Sequence, residues 1–267
     1  MKQYVSFFRI RFLAGLQYRS AAWAGVATQF AWGAMTILMY RAFYRNGADA
    51  FPMTMEQISS YIWLQQALLA LFMTWFYDNE IFNHITGGSI AYELCRPCSL
   101  YTMWFVKNLA IRVSRVVLRC LPILIVAALL PAPYGVRLPA DPMSALLFPV
   151  AMLLGCLVLV AFSMLIYISA FFTISPMGIR ILATSVLEFL TGAVVPIPFF
   201  PQWLQPVMYA LPFGSMQNTP FLIYVGYLDA REAVGSILLQ LFWLAALVTV
   251  GQLWMRRALK KVVVQGG

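Results

Sequence analysis

Apolar residues run along this chain in six long blocks, separated by shorter polar stretches. The blocks lie at about 21–43, 58–77, 113–130, 143–172, 179–195 and 233–254. Each approaches or exceeds the about 20 residues that a helix needs to cross a bilayer. The pattern predicts an all-α integral membrane protein with six transmembrane helices. Ahead of the first block, Lys2, Arg9, Arg11 and Arg19 are set among Val5, Phe8, Phe12 and Leu16. Apolar positions recurring every three or four residues between basic ones predict an amphipathic interfacial helix over 2–19. The arginines interrupt the place where a signal peptide would have its apolar core.

One apolar stretch does not fit a spanning helix. Residues 196–226 contain Pro196, Pro198, Pro201, Pro206, Pro212 and Pro220. Proline removes a helix hydrogen bond and clashes with the preceding turn. Irregular backbone at membrane depth survives only inside protein or along a cavity. The reading is therefore outer re-entrant helices between spans 5 and 6, with 202–211 the best candidate. Trp203 and Tyr209 would sit at the interface. Pro122 lies inside span 3, and Pro149 and Gly155 are possible kinks in span 4. There is no internal repeat.

Composition narrows the class. Of 267 residues, 62% are hydrophobic and 10% charged, with mean hydropathy +0.80. Soluble domains are about 45–50% apolar and about 25% charged. A soluble enzyme, a disordered regulator and a disulfide scaffold are thereby set aside, and 1–267 reads as a single transmembrane domain. The net charge is +9. With six spans, one side of the membrane carries four basic residues in 1–20, five in 78–119, Arg180 and four in 256–261. The other side carries Arg41, Arg45, Arg137 and Arg231. The positive-inside rule then places both termini and segment 78–103 in the cytoplasm. This bias accounts for the charge without nucleic acid.

Catalytic chemistry finds little support. Cys95 and Cys98 form a C-x-x-C, but no second cysteine pair lies near and His84 is the only histidine. Zinc and redox motifs need partners, so no metal site is expected. No G-x-x-x-x-G-K-[ST] phosphate loop occurs.

Segment 78–103 carries the most information. It is too long for a mere connection. Its residues suit a short helix followed by a glycine turn, presenting Ile81, Phe82 and Ile85 to something, or else a surface helix that only ties span 2 to span 3. Within it, Gly88-Ser-Ile-Ala-Tyr-Glu-Leu-Cys-Arg-Pro-Cys-Ser-Leu100 resembles the G-x-I-A-Y-x-L-x-R-P-x-S stretch of type-2 ABC transporter permeases, the six-span exporter class. The resemblance extends over nearly the whole chain. It includes the basic start, the six spans and Val195-Pro-Ile-Pro-x-x-Pro-x-Trp203 before span 6. It implies a coupling helix between spans 2 and 3 that docks on an ATPase, involving Ile81, Phe82, His84, Ile85, Glu93 and Arg96. It also implies an outer gate around Pro196, Pro198, Phe199 and Trp203. ATP and Mg would be held by a separate ATP-binding subunit, in two copies, and a second permease subunit, identical or homologous, would complete the transporter. The expected location is a bacterial inner membrane, with membrane lipid as the other partner.

Glu188 is the only acid deep in a span. It lies about nine residues into span 5, about 14 Å along the axis, where a charge costs about 2.5–3.5 kcal/mol on insertion scales. Thr184, Ser185, Thr191 and Gly192 fall on its face, and Leu182, Val186, Phe189 and Ala193 opposite. The resembled family lines its substrate path with spans 2 and 5, so Gln65, Thr184, Ser185, Glu188 and Thr191 are path candidates, with Tyr61 and Gln66 nearby. A helix–helix contact held by small and polar residues is the competing reading. Arg112, Arg115 and Arg119, spaced i, i+3, i+7, either reach lipid phosphates, the preferred reading, or pair with loop acids such as Glu93.

Two other functions compete with this one. An ion-coupled secondary transporter would use Glu188 as its coupling acid. A membrane enzyme acting on lipid would need clustered His, Asp, Glu or Cys at one face, which scattered acids do not provide. The preferred reading is an exporter permease that performs no covalent chemistry itself. An apolar path with one acid suits a lipid-like or amphipathic cationic compound.

Overall fold

A computed structural model describes residues 2–17, 19–45, 47, 51–173 and 175–260, with the side chains of 19–21 excluded. Asn46, Asp49 and Lys261 lie outside the described residues, as does the Arg19 side chain. The described residues form twelve α-helices and no strand. They are α1 (Lys2–Gly15), α2 (Arg19–Tyr44), α3 (Met55–Ala67), α4 (Leu69–Phe72), α5 (Asn79–Thr86) and α6 (Ile90–Leu94). Then follow α7 (Leu100–Leu129), α8 (Pro142–Ser169), α9 (Pro176–Leu190), α10 (Gln205–Ala210), α11 (Asn218–Tyr224) and α12 (Ala230–Leu259).

Capping residues fix the starts of several helices. Thr54 and Gln57 form a reciprocal capping box at α3, and Asp229 and Glu232 form one at α12. Asp141 and Ser175 cap α8 and α9, each followed by a proline at the first helical position, where the missing N–H costs nothing. α8 extended by a 3-10 turn to Phe172, and α12, are long and apolar enough to cross a membrane, with mean hydropathies of 2.7 and 2.1.

α7 and α8 are the two central posts. α1, α2, α3 and α4 lie against α7, while α9, α11 and α12 lie against α8. The posts meet each other, so the core runs between the two groups. Its larger part gathers Trp63, Phe72, Ile123, Leu159 and Phe221, and a second part beneath it gathers Ile81, Phe82, Trp104, Tyr167 and Met255.

Two elements differ from the sequence reading. The second apolar block is not one helix: α3 stops at Ala67, α4 adds one turn, and the chain leaves the helical conformation at Met73. The third block is the far part of a helix that starts at Leu100, thirteen residues earlier than expected, because Ser99 caps it and Tyr101 and Trp104 bury in the second core. In the proline-rich stretch, α10, α11 and a 3-10 turn over Ile197–Phe199 replace a spanning helix.

Candidate functional site

The broken end of the α3–α4 block leaves backbone carbonyls inside the protein with no helical partner. Buried carbonyls must be satisfied. Arg112, 0% exposed, does so. Its guanidinium donates to the carbonyls of Leu71 at 3.0 Å, Met73 at 2.8 Å and Phe76 at 3.4 Å, and its Nε donates to Asn108 Oδ1 at 2.7 Å. This corrects the lipid-facing reading of the arginine stripe for Arg112. Among the described residues Arg115 makes no ion pair with an acid either, and its guanidinium lies 4.2 Å above the Phe76 ring. Glu93 instead accepts from Trp104 Nε1 at 2.8 Å. The i, i+3, i+7 spacing puts the three arginines on one helical face, but different neighbours cover that face.

Asn108 Nδ2 passes the network on to Tyr167 Oη at 3.2 Å, and Tyr167 Oη accepts from the Asp78 N–H at 2.7 Å. Asp78 also caps α5, accepting from the Glu80 N–H at 2.9 Å. From α7, the Lys107 ammonium reaches Asp78 Oδ2 at 2.7 Å and Glu80 Oε2 at 2.5 Å. The Lys107 hydrogen bond holds the Glu80 carboxyl below its ordinary value of 4.5, against the opposing effect of partial burial, and the Lys107 and Arg11 charges act in the same direction. His84 bridges Ser89 Oγ at 2.8 Å and Glu80 Oε1 at 3.6 Å. From α9, Arg180 donates to Asn79 Oδ1 at 2.9 Å and lies over the rings of Tyr77 and Phe82. From α1, Arg11 reaches Glu80 Oε2 at 3.9 Å, and Tyr4 Oη accepts from the N–H of Ser99, the α7 cap, at 2.9 Å. The α5–α6 segment is thus tied to α1, α7, α8 and α9 at once.

The apolar side of α5 faces the opposite way from the one expected. Ile81 and Phe82 are buried at 1% and 3% exposure, against Tyr167 and Tyr77. They hold α5 to the helices above and are not presented outward. Ile85 is half-buried beside them. The outward surface includes Asn83, Thr86, Gly87, Gly88, Tyr92, Leu94 and Arg96. Gly88 sits at φ +72, a left-handed conformation that lets the chain reverse between α5 and α6. Tyr92, 79% exposed, is the most prominent side chain there.

The path candidates do not share one environment. Gln65 donates to the Ala193 carbonyl, and Thr191 is buried with its hydroxyl donating to Leu187 at 2.7 Å. Glu188 and Thr184 are partly exposed, with the Thr184 side chain beside the Tyr77 hydroxyl, and Ser185 is exposed. Tyr61 Oη donates to Asn218 Oδ1 at 3.1 Å, and Asn218 Oδ1 also accepts from the Ile197 N–H at 3.2 Å, which pins the proline-rich stretch to α3. In that stretch Pro196 and Pro198 are buried, Phe199 meets the rings of Tyr40 and Phe51, and Trp203 stands 76% exposed.

Lys107, Asn108, Tyr167, Arg180 and Tyr92 were not singled out as site residues from the sequence. Lys107 carried a signal, a lone charge beside an apolar block. A tyrosine inside an apolar block, such as Tyr167, carried none. Among the described residues no three His, Cys, Asp or Glu side chains cluster as a metal site.

No curated protein matches the sequence. A family model described as ABC-2 family transporter protein matches residues 30–266, nearly the whole chain and all of α3 to α12. With its two long apolar helices and its all-helical fold, this chain belongs to the ABC-2 family of membrane transporter proteins.

Proposed function

We propose that the chain is the permease subunit of an ATP-driven exporter. In this reading it crosses a bacterial inner membrane six times, through α2, α3–α4, α7, α8, α9 and α12, with both termini and the α5–α6 segment in the cytoplasm. It has no catalytic residues of its own. ATP and Mg act on a separate ATP-binding subunit, present in two copies beside two permease chains.

The observation that carries the reading is the attachment of α5–α6. A segment joined to four other helices by named bonds, yet open on its other side, suits a lever. Motion of a docked ATPase at Asn83, Thr86 and Tyr92 would pass through Asp78, Glu80 and Asn79 into α7 and α9. Ile81, Phe82 and Ile85 then serve as the fulcrum. His84 keeps α5 and the α6 start in register, Glu93 holds α6 to Trp104 of α7, and Arg96 lies at the rim. The exposed Ser185 and part-exposed Glu188 of α9 suit a path enclosed between two permease chains, with Thr184 beside them against Tyr77. Gln65 and Thr191 serve it as supports. Pro196, Pro198, Phe199 and Trp203 form the outer gate.

The test is a mild-detergent pull-down of tagged chain from its native host, with mass spectrometry of what remains bound. A stoichiometric ATP-binding chain is expected, and whether a second six-span protein accompanies it decides between a homomeric and a heteromeric pair. A monodisperse chain with no nucleotide-binding partner overturns the proposal.

A further inference from the structure

A pocket of about 550 Å³ opens where α1, α2 and α7 meet, lined by Arg11 and Gly15 of α1, Ala22 of α2, and Ser114, Arg115 and Arg119 of α7. That volume is in the range of small-ligand sites. Three guanidinium groups line it and no carboxylate does. Arg119 makes no hydrogen bond or ion pair among the described residues. Among the described residues Arg115 contacts the Phe76 ring and makes no ion pair, and Asp78, whose charge reaches it, is already bound by Lys107. Arg115 and Arg119 stand four residues apart on one helix, where like charges repel. Arg11 reaches Glu80 only at 3.9 Å.

The position of Arg119 is built into the backbone. Its guanidinium lies against Gly25 of α2, where a Cβ would fall 2.6 Å from Cζ. One and two turns beyond Leu118 on the same face of α7 stand Leu121 and Ile125, exposed at 66% and 59%. The site therefore joins a partly buried positive pocket, in which Arg115 and Arg119 have no ion pair among the described residues, to an open apolar strip. A doubly amphipathic anion matches both halves.

We propose that this pocket binds the phosphate of an anionic phospholipid, held between Arg115 and Arg119, with the acyl chains along Leu121 and Ile125. The proposal rests on the reading above that these helices lie in a membrane with α1 at its inner face. Arginine forks recognise phosphate oxygens through paired charged hydrogen bonds. The bound lipid would join α1 and α2 to α7.

The experiment is native mass spectrometry of the purified full chain titrated with phosphatidylglycerol, with phosphatidylcholine of the same acyl chains, and with phosphatidylglycerol in the presence of inorganic phosphate. The expected result is preferential retention of phosphatidylglycerol, weakened about tenfold by Arg119→Gln and by Arg115→Gln. Gly25→Ala, which displaces the Arg119 guanidinium, also weakens it. Arg257→Gln, exposed on the last turn of α12, leaves it unchanged. If Arg119→Gln does not fold, Arg115→Gln and Gly25→Ala read the same site. Equal retention of both lipids, or unchanged binding in all pocket variants, overturns the proposal. Displacement of the lipid by millimolar inorganic phosphate also overturns it, since the ligand is then a free anion. Because the permease is assayed alone, failure to find an ATPase partner leaves this result standing.

Discussion

Lys107 Nζ lies 2.7 Å from Asp78 Oδ2, with the two side chains only 5% and 13% exposed. The pair links the start of α5 to the central helix α7. Removing one member of a buried pair leaves the other charge uncompensated, at a cost of about 3–5 kcal/mol. Lys107→Met should therefore destabilise the chain by about 3 kcal/mol, read as a loss of thermal stability in detergent. The double variant Lys107→Met with Asp78→Asn should recover more than half of that loss. Equal destabilisation by single and double variants would show that the pair is not coupled.

Arg112 completes the backbone at the end of α4. A lysine keeps the charge but offers one ammonium in place of a planar fork, and cannot serve carbonyls of Leu71, Met73 and Phe76 together. Each buried carbonyl left without a donor costs about 1–3 kcal/mol. Arg112→Lys is expected to lose about 2 kcal/mol of stability, whereas a lipid-facing arginine would tolerate the change within about 0.5 kcal/mol.

The same two contacts mark where the sequence was readable and where it was not. α8 and α12 were legible because an apolar run of spanning length has one physical solution in lipid. The proline-rich stretch was legible because proline forbids a continuous helix by itself. The break after Ala67 was not legible, since residues 63–77 contain neither glycine nor proline. Nor was the end of the block after Phe72, which is stabilised from outside by Arg112 through the carbonyls of Leu71, Met73 and Phe76. The orientation of α5 was hidden for a related reason. Periodicity puts Ile81, Phe82 and Ile85 on one face, but only the fold decides that Tyr77 and Tyr167 cover that face. The early start of α7 was obscured by Lys107 and Arg112, whose charges looked like the end of a membrane block and are in fact buried.

Phe82 and Tyr92 should separate folding from coupling. Phe82→Ala removes a buried ring and is expected to cost about 3–5 kcal/mol. Tyr92→Ala removes an exposed side chain, and its effect on stability should stay within about 0.5 kcal/mol. In reconstituted transporter, Tyr92→Ala should nonetheless reduce substrate transport per ATP hydrolysed by several-fold. Thermal unfolding and paired transport and ATPase assays check this, and a fully coupled Tyr92→Ala transporter would contradict it.

Glu80 gives a pH dependence. Its folded-state pKa lies below its ordinary value of 4.5, chiefly through the Lys107 hydrogen bond. A depressed carboxyl contributes stability that is present above the unfolded value and lost as pH falls through the folded value. Half-exposed as Glu80 is, that contribution is at most about 1 kcal/mol. Glu80→Gln should thus be slightly less stable than wild type at pH 7, and the gap should close as pH falls below 4.5. A gap that widens in acid would reverse the assignment.

The central claim is that α5–α6 is where an ATPase grips this chain. A photo-crosslinking side chain in place of Tyr92, activated in native membranes, tests it most directly. The account predicts a cross-link to a chain carrying an ATP-binding phosphate loop, lost when the crosslinker replaces buried Ile90. Cross-linking from position 92 only to lipid, while an ATP-binding chain is captured from Trp203 on the expected outer side, would contradict it.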